Sequence, residues 1–161
     1  MTLVPLYTAD PIVQFHVVCA LFALVLGPVA LYRRRRDRVH KLLGYSWVCA
    51  IAGVALSSFG IHSFAVIGPF SPIHALSLFT LWSLYEGLRL ILSGRVIGHR
   101  IVMRNLYWYG LCVAGLFNFL PGRTMNKVLL GGQDGLGYVV TGIGLVLILL
   151  AVLRGRRAAL A

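Results

Sequence analysis

Apolar residues run along this chain in five stretches, at about 12–32, 42–64, 73–92, 101–120 and 137–153, and nearly all the charge sits in short blocks between them. A stretch of about 20 apolar residues is the length that crosses the hydrocarbon core of a bilayer. Inside that core no water satisfies the backbone, so each stretch is predicted to be a helix. The expected fold class is an all-α membrane protein of five transmembrane helices, a single polytopic domain over residues 1–161 with no room for a separate soluble one. The opening "MTLVPLYTAD" has no basic residue ahead of the first stretch, so it reads as the approach to a permanent helix and not as a cleavable signal.

Composition agrees with the pattern. Only 12% of the residues are charged, about half of the ~25% usual in soluble domains, and the mean hydropathy is +0.87. A net charge of +11 would suit nucleic acid, but its placement argues against that partner. If the helices alternate in direction, "RRRRDRVHK", "GRVIGHRIVMR" and the tail "RGRR" all fall on one side. The other side holds Asp10, "IGPFSPI" and a connection whose charges are Arg123, Lys127 and Asp134. The positive-inside rule then places the N-terminus outside and the C-terminus in the cytoplasm. The basic blocks set topology and meet anionic lipid at the cytoplasmic loops. Cys19, Cys49 and Cys112 fall one to a stretch, which offers no disulfide or metal spacing and reads as small packing residues.

A second pattern overlies the first. His16 and His40 stand 24 residues apart, His74 and His99 stand 25 apart, and in both cases the second histidine follows a basic loop, precedes Lys or Arg, and opens an apolar stretch. Helices 1–2 and 3–4 are thus expected to form a parallel repeat, a four-helix core with an axis along the membrane normal. That axis would turn His16 toward His74 near the outer face and His40 toward His99 near the cytoplasmic face.

Two facing neutral imidazoles can ligate one haem iron from opposite sides, at about 2 Å each, and bundle interiors house such groups on facing helices. His16, Ala20, Ala23 and Gly27 share one helix face. Small residues there leave room for a flat macrocycle, or equally for close helix contact. Gly44 stands one turn from His40, and Met103 and Gly110 share the face of His99. Arg38, Lys41, Arg100 and Arg104 near the inner pair suit haem propionates or lipid phosphates. His62 lies 22 residues past His40, nearly on the same face and about 33 Å away, so it competes for the outer site. His16 is the first outer candidate, with His74 or His62 as its partner. Each histidine taken alone also reads as an interfacial anchor. Glu86 pairs with Arg89 at i, i+3, or serves as a proton relay or quinone contact, as an acid within a span can.

The run "FHVVCALFALVLGPVALY" and the helix openings "HKLLGY" and "GHRIVMRNLYW" resemble a bacterial integral-membrane family called domain of unknown function 2306, over about residues 12–120. That resemblance implies a small polytopic protein of the bacterial cytoplasmic (inner) membrane and no particular activity. The fifth stretch, after "PGRTMNKVLLGGQDG", lies outside it. A looser resemblance, of architecture only, is to di-haem transmembrane b-type cytochromes. It implies one haem b between His16 and His74 and another between His40 and His99. His40 and His99 stand shallower than the ligands of those families, and no substrate-binding motif of theirs is present; architecture does not fix function.

Two functional readings follow. In the first the chain binds one or two b-type haems by bis-His ligation and passes electrons to or from a quinone, another membrane subunit or a periplasmic reductant, as a carrier or oxidoreductase subunit. It expects all four histidines to point inward. In the second the chain is a cofactor-free accessory or assembly subunit, or a small transporter. Faces such as Gly53–Ser57–Gly60 and "GYVVTGIG" then dock helices, and the histidines scatter. Hydrolases and transferases are set aside, because no two-His helical metal motif, nucleophile elbow or phosphate loop is present.

Overall fold

Two aspartates start the long helices of the N-terminal half. Asp10 accepts the N–H of Ile12 at 3.2 Å ahead of Pro11 and opens a helix, Pro11–Tyr32. Asp37 accepts the N–H of His40 at 2.9 Å and opens another, Arg38–Ser58. A carboxylate at this position satisfies a backbone donor that the first turn leaves without a partner, so the second helix begins at residue 38, ahead of the apolar stretch itself. The computed structural model describes residues 3–61 and 72–160. In chain order its helices are α1 (Val4–Tyr7), α2 (Pro11–Tyr32), α3 (Arg38–Ser58), α4 (Pro72–Leu92), α5 (Val96–Asn105), a π-helical run Leu106–Cys112, α6 (Val113–Phe117), α7 (Thr124–Leu129) and α8 (Asp134–Leu160).

Among the described residues four helices, not the expected five, are long and apolar enough to cross a membrane: Pro11–Tyr32, Arg38–Ser58, Ile73–Leu92 and Asp134–Leu153. The stretch expected at 101–120 is helical from Val96 to Phe117, but in three pieces. The π-helical run interrupts it, and Leu106, Tyr107 and Leu111 are all buried there.

The described residues divide into two compact units. The first is Asp10–Gly110. In it α2 packs along α3, α3 on α4 and α4 on α5, and α5 touches α2, so the four helices close a ring. A tight turn at Gly94, whose φ of 75° is costly for a side-chain-bearing residue, joins α4 to α5. The middle of the ring is filled by Trp47, 1% exposed, and Tyr107. Both rings press on Gly27, where a Cβ would collide with Tyr107 and touch Trp47. The Trp47 indole donates to the Ala23 carbonyl at 3.0 Å and the Tyr107 hydroxyl to that of Leu24 at 3.2 Å. The second bond has a cause in the sequence. The helical partner of the Leu24 carbonyl is residue 28, and Pro28 has no N–H to give. Tyr107 supplies the missing donor, as a freed carbonyl at membrane depth requires.

The same unit shows what the Gly53–Ser57–Gly60 face docks. Side chains of α2 lie against it: Cys19 and Phe15 at Gly53, Ile12 at Gly60. Cys19 therefore packs as expected of a small apolar residue, while Cys49 is exposed.

The second unit joins the N-terminal segment through Ala9 to the chain from Leu111 onward. Here α1 touches α7 and α6 packs on α8. Asn126, wholly buried, organises the connection between them. Its side-chain NH2 donates to the carbonyls of Phe119 at 2.8 Å and Gln133 at 3.3 Å. Gly137 lies hard against the Phe119 carbonyl and leaves no room for a Cβ. On α8, Thr141 donates to Leu116 at 3.2 Å and Gly144 receives the Leu116 side chain.

Candidate functional site

The link between α2 and α3 and the turn between α4 and α5 lie at the same end of the four-helix unit. His40 stands in the first turn of α3 and His99 in the first turn of α5. The structure brings these two histidines into one cleft, although their helices are not neighbours in the ring. Arg33, Arg36 and Arg100 complete its cationic side. Ala30, Leu31, Ile91, Val96 and Met103 form an apolar wall. Among the described residues no carboxylate lines it. The free space is about 60 Å³. A cavity of ~150 Å³ holds one benzene, so this cleft has room for a few waters or one group of phosphate size.

The two imidazoles are held differently. His99 Nδ1 lies 2.7 Å from the Gly87 carbonyl. A carbonyl only accepts, so Nδ1 donates this bond. His40 Nδ1 is buried and, among the described residues, has no hydrogen-bond partner. A buried polar atom without a partner costs about 1–3 kcal/mol. Asp37 steadies the loop. Its carboxylate receives Arg33 at 2.6 and 3.2 Å and also caps α3. The Arg33 guanidinium, with help from the His40 N–H, lowers the Asp37 carboxyl to about 2.

The remaining expected site residues are placed as follows. Arg104 does not line the cleft; its guanidinium lies over the Tyr32 ring, 4.8 Å from the centroid, while the Trp108 indole donates to the Tyr32 hydroxyl at 2.9 Å. Arg38 and Lys41 are exposed. Arg33 and Arg36 take the places foreseen for Arg38 and Lys41; their signal was the arginine run itself, which does not say which members turn inward. At the other end of the unit His16 is bonded into α3, its Nδ1 3.1 Å from the Val54 carbonyl and 3.0 Å from Ser57 Oγ. His74 is buried with its ring 5.7 Å from that of Phe59. Ser57 and Ser58, two hydroxyls side by side in an apolar stretch, were the readable sign of this polar pocket. His62 lies outside the described residues. Glu86 makes the expected pair with Arg89, at 2.8 and 2.9 Å.

The donors at the cleft suit a haem, since two imidazoles line it and cations stand nearby. The space does not. A ligand of that size occupies a pocket of roughly 300–1,000 Å³, against the 60 Å³ here. The small-residue face of α2, expected to give room either to a macrocycle or to close packing, is packed at Gly27 by Tyr107 and Trp47. Among the described residues no group of three His, Cys, Asp or Glu gathers to hold a metal ion.

An all-helical bundle with several helices able to span a bilayer, and a histidine-arginine cleft at one end, is a multi-pass membrane protein. The chain belongs to the family described as "Predicted membrane protein (DUF2306)", whose model matches residues 13–154. The match runs beyond the 12–120 region of the sequence resemblance and takes in most of α8. No curated protein and no solved structure matches.

Proposed function

We propose that this protein is a cofactor-free, multi-pass membrane protein whose working part is the Asp10–Gly110 unit, with the His40–His99 cleft as a binding site for a small anionic group. The observation that carries this reading is the convergence of His40, His99, Arg33, Arg36 and Arg100 on a space of about 60 Å³ that, among the described residues, no carboxylate lines. Imidazole N–H and guanidinium groups are donors, and charge-assisted bonds to an anion are among the stronger ones. The chain crosses a bacterial inner membrane five times, with the Val96–Phe117 run as the fourth crossing and the N-terminus outside. The basic loops then place the cleft on the cytoplasmic side.

The test is a titration of the purified, isotope-labelled protein with inorganic phosphate, read on the histidine ring signals. Shifts confined to His40 and His99, and abolished by Arg100→Gln, support the site; unmoved signals overturn it. A haem between the same two imidazoles needs more room than the space of about 60 Å³ in the cleft, so this reading expects no reduced α-band; a sharp one, lost in His40→Ala or His99→Ala, would overturn it.

A further inference from the structure

Resting on the anion-site reading, we propose that the group seated in the cleft is the headgroup phosphate of an anionic phospholipid. Three observations separate a lipid from free phosphate. First, the cleft is two-sided: Arg33, Arg36, His40, His99 and Arg100 face an apolar wall that includes Leu31, Ile91 and Val96. A free phosphate gains nothing from such a wall, whereas the glycerol and upper acyl carbons of a lipid bury against it. Second, the cleft lies where the helices begin and end, which in the proposed crossing is the level of the headgroups. Tyr32, 47% exposed at the end of α2, is stacked under Arg104 and bonded to Trp108, and aromatic and cationic side chains gather at that level of a membrane. Third, the free space of about 60 Å³ takes a phosphate and not a whole headgroup, so the remainder of the lipid leaves over the apolar wall.

The seat differs from the diffuse attraction that any basic loop exerts on an anionic surface. Arg34 and Arg35 stand beside Arg33 and Arg36 in the chain, are exposed, and do not line the cleft. Diffuse attraction counts all the arginines alike, whereas a seat counts only those at the phosphate.

The experiment is native mass spectrometry of the full chain in neutral detergent, with phosphatidylglycerol or phosphatidylcholine added. Wild type is expected to retain one phosphatidylglycerol in preference to phosphatidylcholine. Losing one charge-assisted bond weakens binding roughly tenfold, so Arg100→Gln is expected to weaken retention by about that much and His40→Ala with His99→Ala by more. Arg100 is exposed and its variant keeps the core intact. Arg34→Gln with Arg35→Gln is expected to leave retention unchanged. If that double variant loses as much as Arg100→Gln, the attraction is diffuse and the seat is overturned. If no phospholipid is retained while inorganic phosphate still moves the His40 and His99 signals, the lipid falls and the anion site stands. If neither binds, both fall.

Discussion

The two ends of the four-helix unit treat their histidines in opposite ways. At the end where α3 finishes, His16 Nδ1 meets the Val54 carbonyl and Ser57, and the ring is part of how α2 is fastened to α3. At the end where α3 begins, His40 lines the cleft, and its buried Nδ1 has no hydrogen-bond partner among the described residues. Position along the chain made the two look alike, since each stands near the start of an apolar stretch. What separates them is whether the fold itself satisfies the ring. A histidine bonded to its neighbours holds helices together; one that lines a cationic cleft is placed to meet a ligand.

The largest effect should come from breaking what both ends share. Trp47→Ala opens a cavity in the centre of the ring and is expected to cost about 3–5 kcal/mol, seen as a lower unfolding temperature in detergent with both ends lost together. Loss of phosphate binding with unchanged stability would show that Trp47 serves the cleft alone. Next, Tyr107→Phe strips the donor from the Leu24 carbonyl and is expected to cost roughly 1–3 kcal/mol. Pro28→Ala should restore most of it by returning an N–H to the helix, so the pair should be strongly non-additive. Simple additivity would mean the Tyr107 hydroxyl does not replace the proline's missing bond.

The comparison itself is sharpened by His16→Ala against His40→Ala. The first should cost about 1 kcal/mol of stability and leave phosphate binding alone; the second should weaken binding roughly tenfold with little loss of stability. An exchange of those outcomes would put the ligand at the other end. The smallest effect concerns Asp37. Its carboxyl is held at about 2 in the fold, below its ordinary value. The stability it gives is complete above the ordinary carboxylate range near ~4 and is lost as pH falls through about 2. Asp37→Asn keeps a cap acceptor but not the charge, so its acid unfolding limb should be flatter than that of wild type; identical limbs would assign the acid sensitivity elsewhere.

Much of the fold was legible because it is local. Apolar length and charge spacing are read along one dimension, and they mark the long helices, the membrane setting and the Glu86–Arg89 neighbours on one face of α4. The fourth stretch is helical from Val96 to Phe117, but its π-helical run was not legible because hydropathy does not distinguish an α from a π turn. The candidate site was legible only in part. His40, His99, Arg100 and Met103 were singled out and do line the cleft. Arg104 and Lys41 were singled out and do not, because a run of cations at an interface carries no sign of which side chains turn inward.

The sequence by itself determined that this is a multi-helix membrane chain with basic loops on one side, since helices at membrane depth satisfy their own backbones and need no distant partner. Only the tertiary structure decided that His40 and His99 meet in one cleft, that Pro28's lost bond is made good by a tyrosine 83 residues from Leu24, and that the small-residue face of α2 meets aromatic rings. Those outcomes depend on how each helix is rotated against its neighbours. The 3.6-residue repeat names the residues on a face, and packing alone names what that face meets.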